Sequence, residues 1–228
     1  MTGLGTIINI AAIAAGSLVG VVVGRRLVER VRTGVMSILG LVTIVSGISD
    51  AQKTHNIVFP LIALALGTAL GEALSLEERF ERFGDRLGAR VRGTHSNVGE
   101  GFVTASLVFC IGPLAILGSL QDGLSRGYQL LVLKSGLDGF VSLIFASTLG
   151  WGVALSAIAV GIYQGALTAG AHLIDPLLTK RMLTELTATG GVLVMAIGVR
   201  LLDLRRIRVG SMLPALLIAP IAVGLFAR

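Results

Sequence analysis

The sequence predicts an all-α fold, a bundle of transmembrane helices that crosses the bilayer about eight times. Of its 228 residues, 54% are hydrophobic and only 14% are charged, whereas a soluble domain carries about 25% charged residues. The mean hydropathy is +0.87, and the apolar stretches approach the ~20 residues that one helix needs to cross the hydrocarbon core. No polar stretch is long enough for a soluble domain, so residues 1–228 are expected to form a single integral membrane domain.

Short charged loops separate the predicted spans, which cover residues 4–24, 34–48, 57–74, 98–120, 128–150, 153–174, 190–204 and 210–227. Glycines recur every four residues along the first and third spans, at Gly16, Gly20 and Gly24 and at Gly67 and Gly71. Such glycines share one helical face and allow membrane helices to pack closely. The faces can pack within the protomer or between protomers, so a homo-oligomer is compatible with the sequence.

Two segments between the spans are predicted to lie at the membrane surface. In residues 75–97, apolar side chains recur at helical spacing among Glu, Asp and Arg, which indicates an amphipathic cytoplasmic helix. Residues 175–189, which include Glu185, are predicted as a short surface segment. Arg200 lies near the inner end of the seventh span and is expected to extend its guanidinium to the interface.

The distribution of basic residues predicts the orientation of the chain. If the amino terminus is outside, the inner loops hold most of the 19 Lys and Arg residues, as in the pairs Arg25 and Arg26 or Arg205 and Arg206, and the outer segments hold few, such as Lys53. Cytoplasmic loops are enriched in Lys and Arg. Both termini are therefore predicted to lie outside, which requires an even number of spans.

A weak internal repeat is also visible, and two alignments of it remain open. A parallel repeat pairs the segment at Ile111 in the fourth span with the segment at Ile218 in the eighth. An inverted repeat pairs spans one to three with spans six to eight, matching Thr33-Gly34 with Thr189-Gly190. Many transporters contain inverted repeats, so the sequence slightly favours the second alignment.

Two charged residues stand inside the fifth span. Asp138 lies at its centre and Lys134 about one turn nearer the predicted outer side. A charge at the bilayer centre costs roughly 2.5 to 3.5 kcal/mol on insertion scales, so such residues usually serve a function. Residues four apart are also neighbours on a helix, so a purely structural ion pair is the alternative.

Other polar or helix-breaking residues are predicted at a similar depth. Tyr163 and Gln164 lie at the centre of the sixth span and Asn9 about level with Lys134, while Gly112 and Pro113 interrupt the fourth span. Transporter binding sites lie near the midplane beside broken helices. Interhelical hydrogen bonding is an equally good interpretation of the uncharged residues.

Gln121 and Asp122 stand at the outer end of the fourth span, where a solvated turn is the simpler interpretation. They complete the set of candidate substrate- or ion-binding residues: Asn9, Gln121, Asp122, Lys134, Asp138, Tyr163 and Gln164.

Enzymatic and nucleic-acid-binding functions have no support in the sequence. His55, His95 and His172 lack metal-ligand spacing, and we find no catalytic motif and no phosphate-binding loop. The net charge of +6 comes from loops without interleaved aromatic residues, which argues against nucleic acid. We therefore predict no metal, no cofactor and no enzymatic activity, with the lipid bilayer as the main partner.

Several long motifs resemble the YqgA/YdfK-like family of bacterial inner-membrane proteins, a domain of unknown function numbered 554. They are GTIINIAAIAAGSLVG at Gly5, GEALSLEERFERFG at Gly71, FCIGPLAILGSLQDGL at Phe109, KSGLDGF at Lys134, YQGALT at Tyr163 and IRVGSMLPALLIAP at Ile207. The resemblance implies an inner-membrane location, and its motifs contain all seven candidate residues. Pro113 departs from the small residue of the family pattern, so the helix break can be peculiar to this chain.

These observations favour a membrane transport protein for a small solute or ion, with a polar site near the midplane. The alternative is a structural or assembly protein of the membrane without transport activity, which leaves the buried charges of Lys134 and Asp138 without a purpose.

Overall fold

The computed structural model describes residues 2–88 and 98–226. The helices of this part are α1 (Leu4–Gly24), α2 (Glu29–Ala51), α3 (Val58–Ala73), α4 (Leu76–Gly88), α5 (Val98–Cys110), α6 (Pro113–Gly123), α7 (Gln129–Leu149), α8 (Gly152–Ala169), α9 (Ala171–Ile174), α10 (Lys180–Leu201) and α11 (Ala215–Phe226). Two short 3-10 turns, Asp175–Leu177 and Val209–Met212, precede α10 and α11.

The described residues contain no β-strand, so the predicted all-α membrane fold is confirmed. Six of their helices are long and apolar enough to cross a membrane, or seven if the bent pair α5 and α6 forms one span. The remaining predicted span corresponds to α3, an apolar helix of 16 residues. About eight spans is therefore consistent with the structure.

The chain divides into two compact units that alternate along the sequence. The first comprises Met1–Val35 and Glu81–Leu177, and the second comprises Met36–Phe80 and Leu178–Arg228. Each unit is built from helices that are distant in sequence. A single membrane domain stays a prediction.

In the first unit, the glycine face of α1 packs on the backbone of α7. A Cβ atom at Gly16, Gly20 or Gly24 would collide with the carbonyl oxygens of Gly139, Leu143 and Ser147, respectively. Both sets recur every four residues, so they follow matching faces of two helices that run in the same direction. The glycines that predicted close packing thus act within the protomer.

In the second unit, two helix pairs pack through glycines in opposite directions. Gly40 of α2 lies against Gly198 of α10, and Gly47 lies against Gly191. Helix α3 packs in the same manner, with Gly67 against Ala215 at the start of α11 and Gly71 against the preceding 3-10 turn. The second predicted glycine face is therefore also used inside the chain.

Three helix pairs within the two units are antiparallel. In the first unit α1 contacts α8, with Ile10 near Gly161 and Asn9 near Gln164, so the two helices are antiparallel. In the second unit α2 with α10 and α3 with α11 are antiparallel as well. These contacts join spans one to three to spans six to eight within each unit, whereas a repeat alignment states which spans are equivalent and not which ones touch. The choice between the inverted and the parallel repeat therefore stays a prediction.

The prediction of a surface segment over residues 175–189 is wrong, because α10 begins at Lys180. The hydroxyl of Thr179 accepts a hydrogen bond from the backbone N–H of Met182 at 3.2 Å, which caps the helix start. Glu185 is fully buried and accepts hydrogen bonds from the Thr54 hydroxyl at 2.5 Å and from the His55 backbone N–H at 2.9 Å. Its carboxylate thus belongs to the interior of the second unit.

The predicted amphipathic helix is present as α4, while residues 89–97 lie outside the described part of the chain. Its first turn is fixed by a charged residue: the Glu77 carboxylate pairs with Arg200 at 2.8 Å and accepts the Gly210 backbone N–H at 2.5 Å. Both side chains of the pair are less than a tenth exposed. Arg200 thus binds a buried counter-charge on the predicted surface helix, and its position at the inner interface stays a prediction.

Candidate functional site

A cluster of buried polar side chains occupies the interior of the first unit. On α7, the ammonium group of Lys134 forms an ion pair with the carboxylate of Asp138, one helical turn further along the chain. Their side chains are 7% and 10% exposed, respectively. Because desolvation of two charges is expensive, such a pair requires further hydrogen bonds to be tolerated.

Asn9 of α1 supplies these bonds and joins three helices. Its side-chain N–H₂ group donates to Asp138 Oδ2 at 3.0 Å and to Gln164 Oε1 of α8 at 3.3 Å. Asn9 and Gln164 are both fully buried. The carboxylate can only accept, which fixes the orientation of the Asn9 amide and, through it, that of Gln164.

The cluster is not saturated with hydrogen bonds. Asn9 Oδ1 and Gln164 Nε2 are buried and lack a partner in the described structure, and so does the hydroxyl oxygen of Thr6, three residues before Asn9. Most buried polar atoms in native proteins are hydrogen-bonded, so each exception needs an explanation. A free acceptor and a free donor therefore lie next to the ion pair, and a free hydroxyl lies one helical turn before Asn9 on α1.

The break between α5 and α6 lies close to the same ion pair. Lys134 Nζ is 6.0 Å from the centroid of the Phe109 ring, one residue before the end of α5. The axes of the two helices differ by 65°, and Gly112 between them has φ 143° and ψ 152°. This backbone region is accessible essentially only to glycine, so the predicted break at Gly112 and Pro113 is present.

Asp122 is buried but has a structural partner. It is 2% exposed, and its Oδ2 accepts the backbone N–H of Gly5 at 3.0 Å. Gly5 is in the first turn of α1, where the N–H groups have no partner within the helix. A carboxylate also interacts favourably with the positive end of the helix dipole, so Asp122 caps α1 from the end of α6.

Two predicted site residues do not join the hydrogen-bonded cluster. Gln121 bonds to the connection before α7, accepting from the Leu130 backbone N–H and donating to the Arg126 carbonyl, each at 3.5 Å. Tyr163 precedes Gln164 on α8 and is half-buried. Successive residues of a helix point about 100° apart, so Tyr163 does not share the direction in which Gln164 meets the Asn9 amide.

Hydrogen bonds thus join Asn9, Lys134, Asp138 and Gln164, and Gln121, Asp122 and Tyr163 are not part of this bonded set. Sequence reasoning did not include Thr6, although its spacing of three residues from Asn9 places both on one face of α1. Within the described residues, no group of three His, Cys, Asp or Glu side chains could hold a metal ion.

The fold and the cluster define a polytopic helical membrane protein with a buried, partly unsatisfied polar site. Residues 4–224 match the family described as protein of unknown function DUF554, and the chain belongs to this family, as the motifs predicted. It is 31% identical over 223 residues to the uncharacterized membrane protein YdfK of Bacillus subtilis, covering 96% of this chain and 95% of that protein. It is 33% identical over 221 residues to the uncharacterized protein YqgA of Escherichia coli K12, covering 95% and 94%. No solved structure matches the chain.

Proposed function

We propose that this protein transports a small solute or ion across the bacterial inner membrane through a site formed by Asn9, Lys134, Asp138 and Gln164. The observation that carries the proposal is the buried ion pair with an unpaired acceptor and an unpaired donor next to it. Side chains that served packing alone would be expected to satisfy one another. The free atoms are available to a ligand that enters the cluster.

The helix break beside the cluster supports the same proposal. Discontinuous helices leave backbone groups free at the depth where transporters bind their substrates. A transporter of this kind requires no catalytic nucleophile, no metal and no cofactor.

A structural or assembly role is the second candidate, and the hydrogen bonds that join α1, α7 and α8 favour it. Such a role would need the cluster for stability alone. The glycine faces of α1 and α3 are occupied within the chain, so they do not add support for a homo-oligomer.

Ligand binding to purified protein separates the two candidates. We expect a thermal-shift screen against inorganic ions and small metabolites to find at least one compound that raises the Tm of the wild type. A ligand at about 100 times its Kd adds about 2.7 kcal/mol of stability. The same compound should not raise the Tm of the double variant Lys134→Met with Asp138→Leu. If no compound stabilises the wild type and none is moved in proteoliposomes, the structural role is correct.

The orientation with both termini outside is tested by thiol labelling in a Cys110→Ser background, since Cys110 is the single cysteine. Cysteine at Lys53, in the connection between α2 and α3, should react with an impermeant reagent added to intact cells. Cysteine at Arg206, between α10 and α11, should react only after the membrane is opened. The reverse result would invert the orientation, because the two positions lie in connections of opposite predicted sides.

A further inference from the structure

The first unit contains a cavity of about 510 Å³ near the start of α1 and the end of α8. Its walls include Thr2 and Thr6 of the amino-terminal segment, Gly165 and Thr168 of α8, and His172 of α9. This volume is within the range of small-molecule sites, about 300 to 1,000 Å³. None of the residues that form these walls is Asp, Glu, Lys or Arg.

The same two helices carry the cavity wall and the buried cluster. Thr6 lies three residues before Asn9 on α1, and Thr168 lies four residues after Gln164 on α8. Residues at these spacings are neighbours on one helix face. The cavity therefore lies about one helical turn from the unpaired amide atoms of Asn9 and Gln164.

Unpaired polar atoms lie along the path from the cavity to the buried cluster, which we call the route. Thr6 lines the cavity, and its buried hydroxyl has no hydrogen-bond partner in the described part of the chain. One helical turn further along α1 and α8 are Asn9 Oδ1 and Gln164 Nε2, which are also buried and unpaired. Gly165, in the adjoining wall, has nothing within 4 Å of the position that a Cβ would take. The route thus offers a hydroxyl, an acceptor and a donor, with open space at Gly165.

The charges along the route determine which ligand it fits. Lys134 and Asp138 neutralise each other at its inner end, the Asp122 carboxylate is bonded to the positive end of α1, and the free groups are uncharged. An isolated ion in a buried site without an opposing charge loses far more hydration energy than hydroxyl and amide groups restore. An uncharged solute that carries both a donor and an acceptor can bond to all three free groups.

We propose that this cavity is the entrance to the Asn9 and Gln164 site, and that its ligand is a small uncharged solute with hydrogen-bond donors and acceptors, of the size of urea or glycerol. The assignment rests on the proposed transport function and adds the route and the ligand class. Gly165 keeps the entrance open, because a larger side chain there would extend into the cavity.

Thiol labelling tests the route without any transport assay. In the Cys110→Ser background, Thr6→Cys and Thr168→Cys should react with a small hydrophilic methanethiosulfonate reagent. Leu133→Cys, on a 59% exposed apolar position of α7, should not react because lipid covers it. Adding Gly165→Leu to the Thr6→Cys variant should slow the reaction about tenfold, since access depends on the width of the opening. Unreactive thiols at both threonines, or labelling of Thr6→Cys at an undiminished rate in the presence of Gly165→Leu, would overturn the route.

Stopped-flow light scattering of proteoliposomes tests the ligand class, with urea and glycerol as the uncharged probes. Na⁺ and K⁺ are the ionic probes, and a pH-sensitive dye reports the entry of protons. We expect protein-dependent entry of an uncharged probe, slowed about tenfold by Gly165→Leu. Gly136→Leu is the matched control, because Gly136 of α7 also has open space around it but lies on an exposed face. It should leave the rate within about twofold of the wild type.

The outcomes distinguish this inference from the function on which it rests. If the wild type moves ions but neither uncharged probe, the ligand class is wrong and the transport function stands. If an uncharged probe enters equally fast with Gly165→Leu, the entrance is wrong and transport again stands. If the wild type moves neither probe nor any of the ions, both the transport function and this inference are wrong.

Discussion

Gly20→Leu is expected to cause a large loss of stability in the first unit. The position of a Cβ at Gly20 overlaps the backbone carbonyl oxygen of Leu143, and that backbone is held by the hydrogen bonds of α7. A flexible side chain could move aside, whereas two helix backbones must separate along their length. Overpacking penalties reach about 3 kcal/mol when the surroundings cannot adjust, and we expect a loss of this order in thermal or chemical unfolding.

The matched control for Gly20→Leu is Gly136→Leu on the partner helix. Gly136 has nothing within 4 Å of a built Cβ, so the added side chain meets lipid and removes only the conformational freedom of glycine in a helix. The control should unfold at the wild-type temperature or slightly above it. Equal stability of Gly20→Leu and Gly136→Leu would contradict the close packing of α1 on α7.

The boundaries of α1 illustrate what the sequence could predict. The first span was expected at residues 4–24, and the helix runs from Leu4 to Gly24. Its apolar stretch is long and ends at a pair of arginines, so local composition determines both ends. The glycines every four residues also predicted a packing face, although only the structure identifies α7 as the partner.

The start of α10 illustrates what the sequence could not predict. Lys180, Arg181 and Glu185 make residues 175–189 look like a surface segment, yet the helix already begins at Lys180. The Glu185 carboxylate is buried because Thr54 and His55, about 130 positions earlier, donate to it. A partner so distant in sequence leaves no local pattern.

The candidate site shows the same division between local and tertiary information. The four-residue spacing of Lys134 and Asp138 predicted a pair on one helix face, and estimated depth placed Asn9 and Gln164 near it. The cap of α1 by Asp122 and the unpaired Thr6 hydroxyl could not be predicted. The cap and the unpaired hydroxyl depend on which helices pack together. The estimated depth of a residue within its own span does not predict that packing.

The strongest effect on function is expected for the double variant Lys134→Met with Asp138→Leu, which should be stable but unable to transport. Removing one partner leaves the other charge buried and unpaired, which costs about 3 to 5 kcal/mol. Each single variant should therefore unfold well below the wild-type temperature. Replacing both with apolar residues of similar volume removes the unpaired charge, so the double variant should recover most of that stability.

The functional and the structural interpretation of this pair predict the same recovery of stability. A transport measurement is therefore needed to separate them. If the ion pair only stabilises the packing inside the first unit, the double variant regains solute entry in proteoliposomes together with its stability. If Asp138 and Lys134 orient Asn9 and bind the transported species, solute entry falls to the rate of protein-free liposomes although the protein is folded. We expect the second result, since Asn9 Nδ2 donates to Asp138 at 3.0 Å and a leucine cannot accept that bond. A folded double variant with wild-type entry rates would remove the pair from the transport site and leave Asn9 and Gln164 as its remaining members.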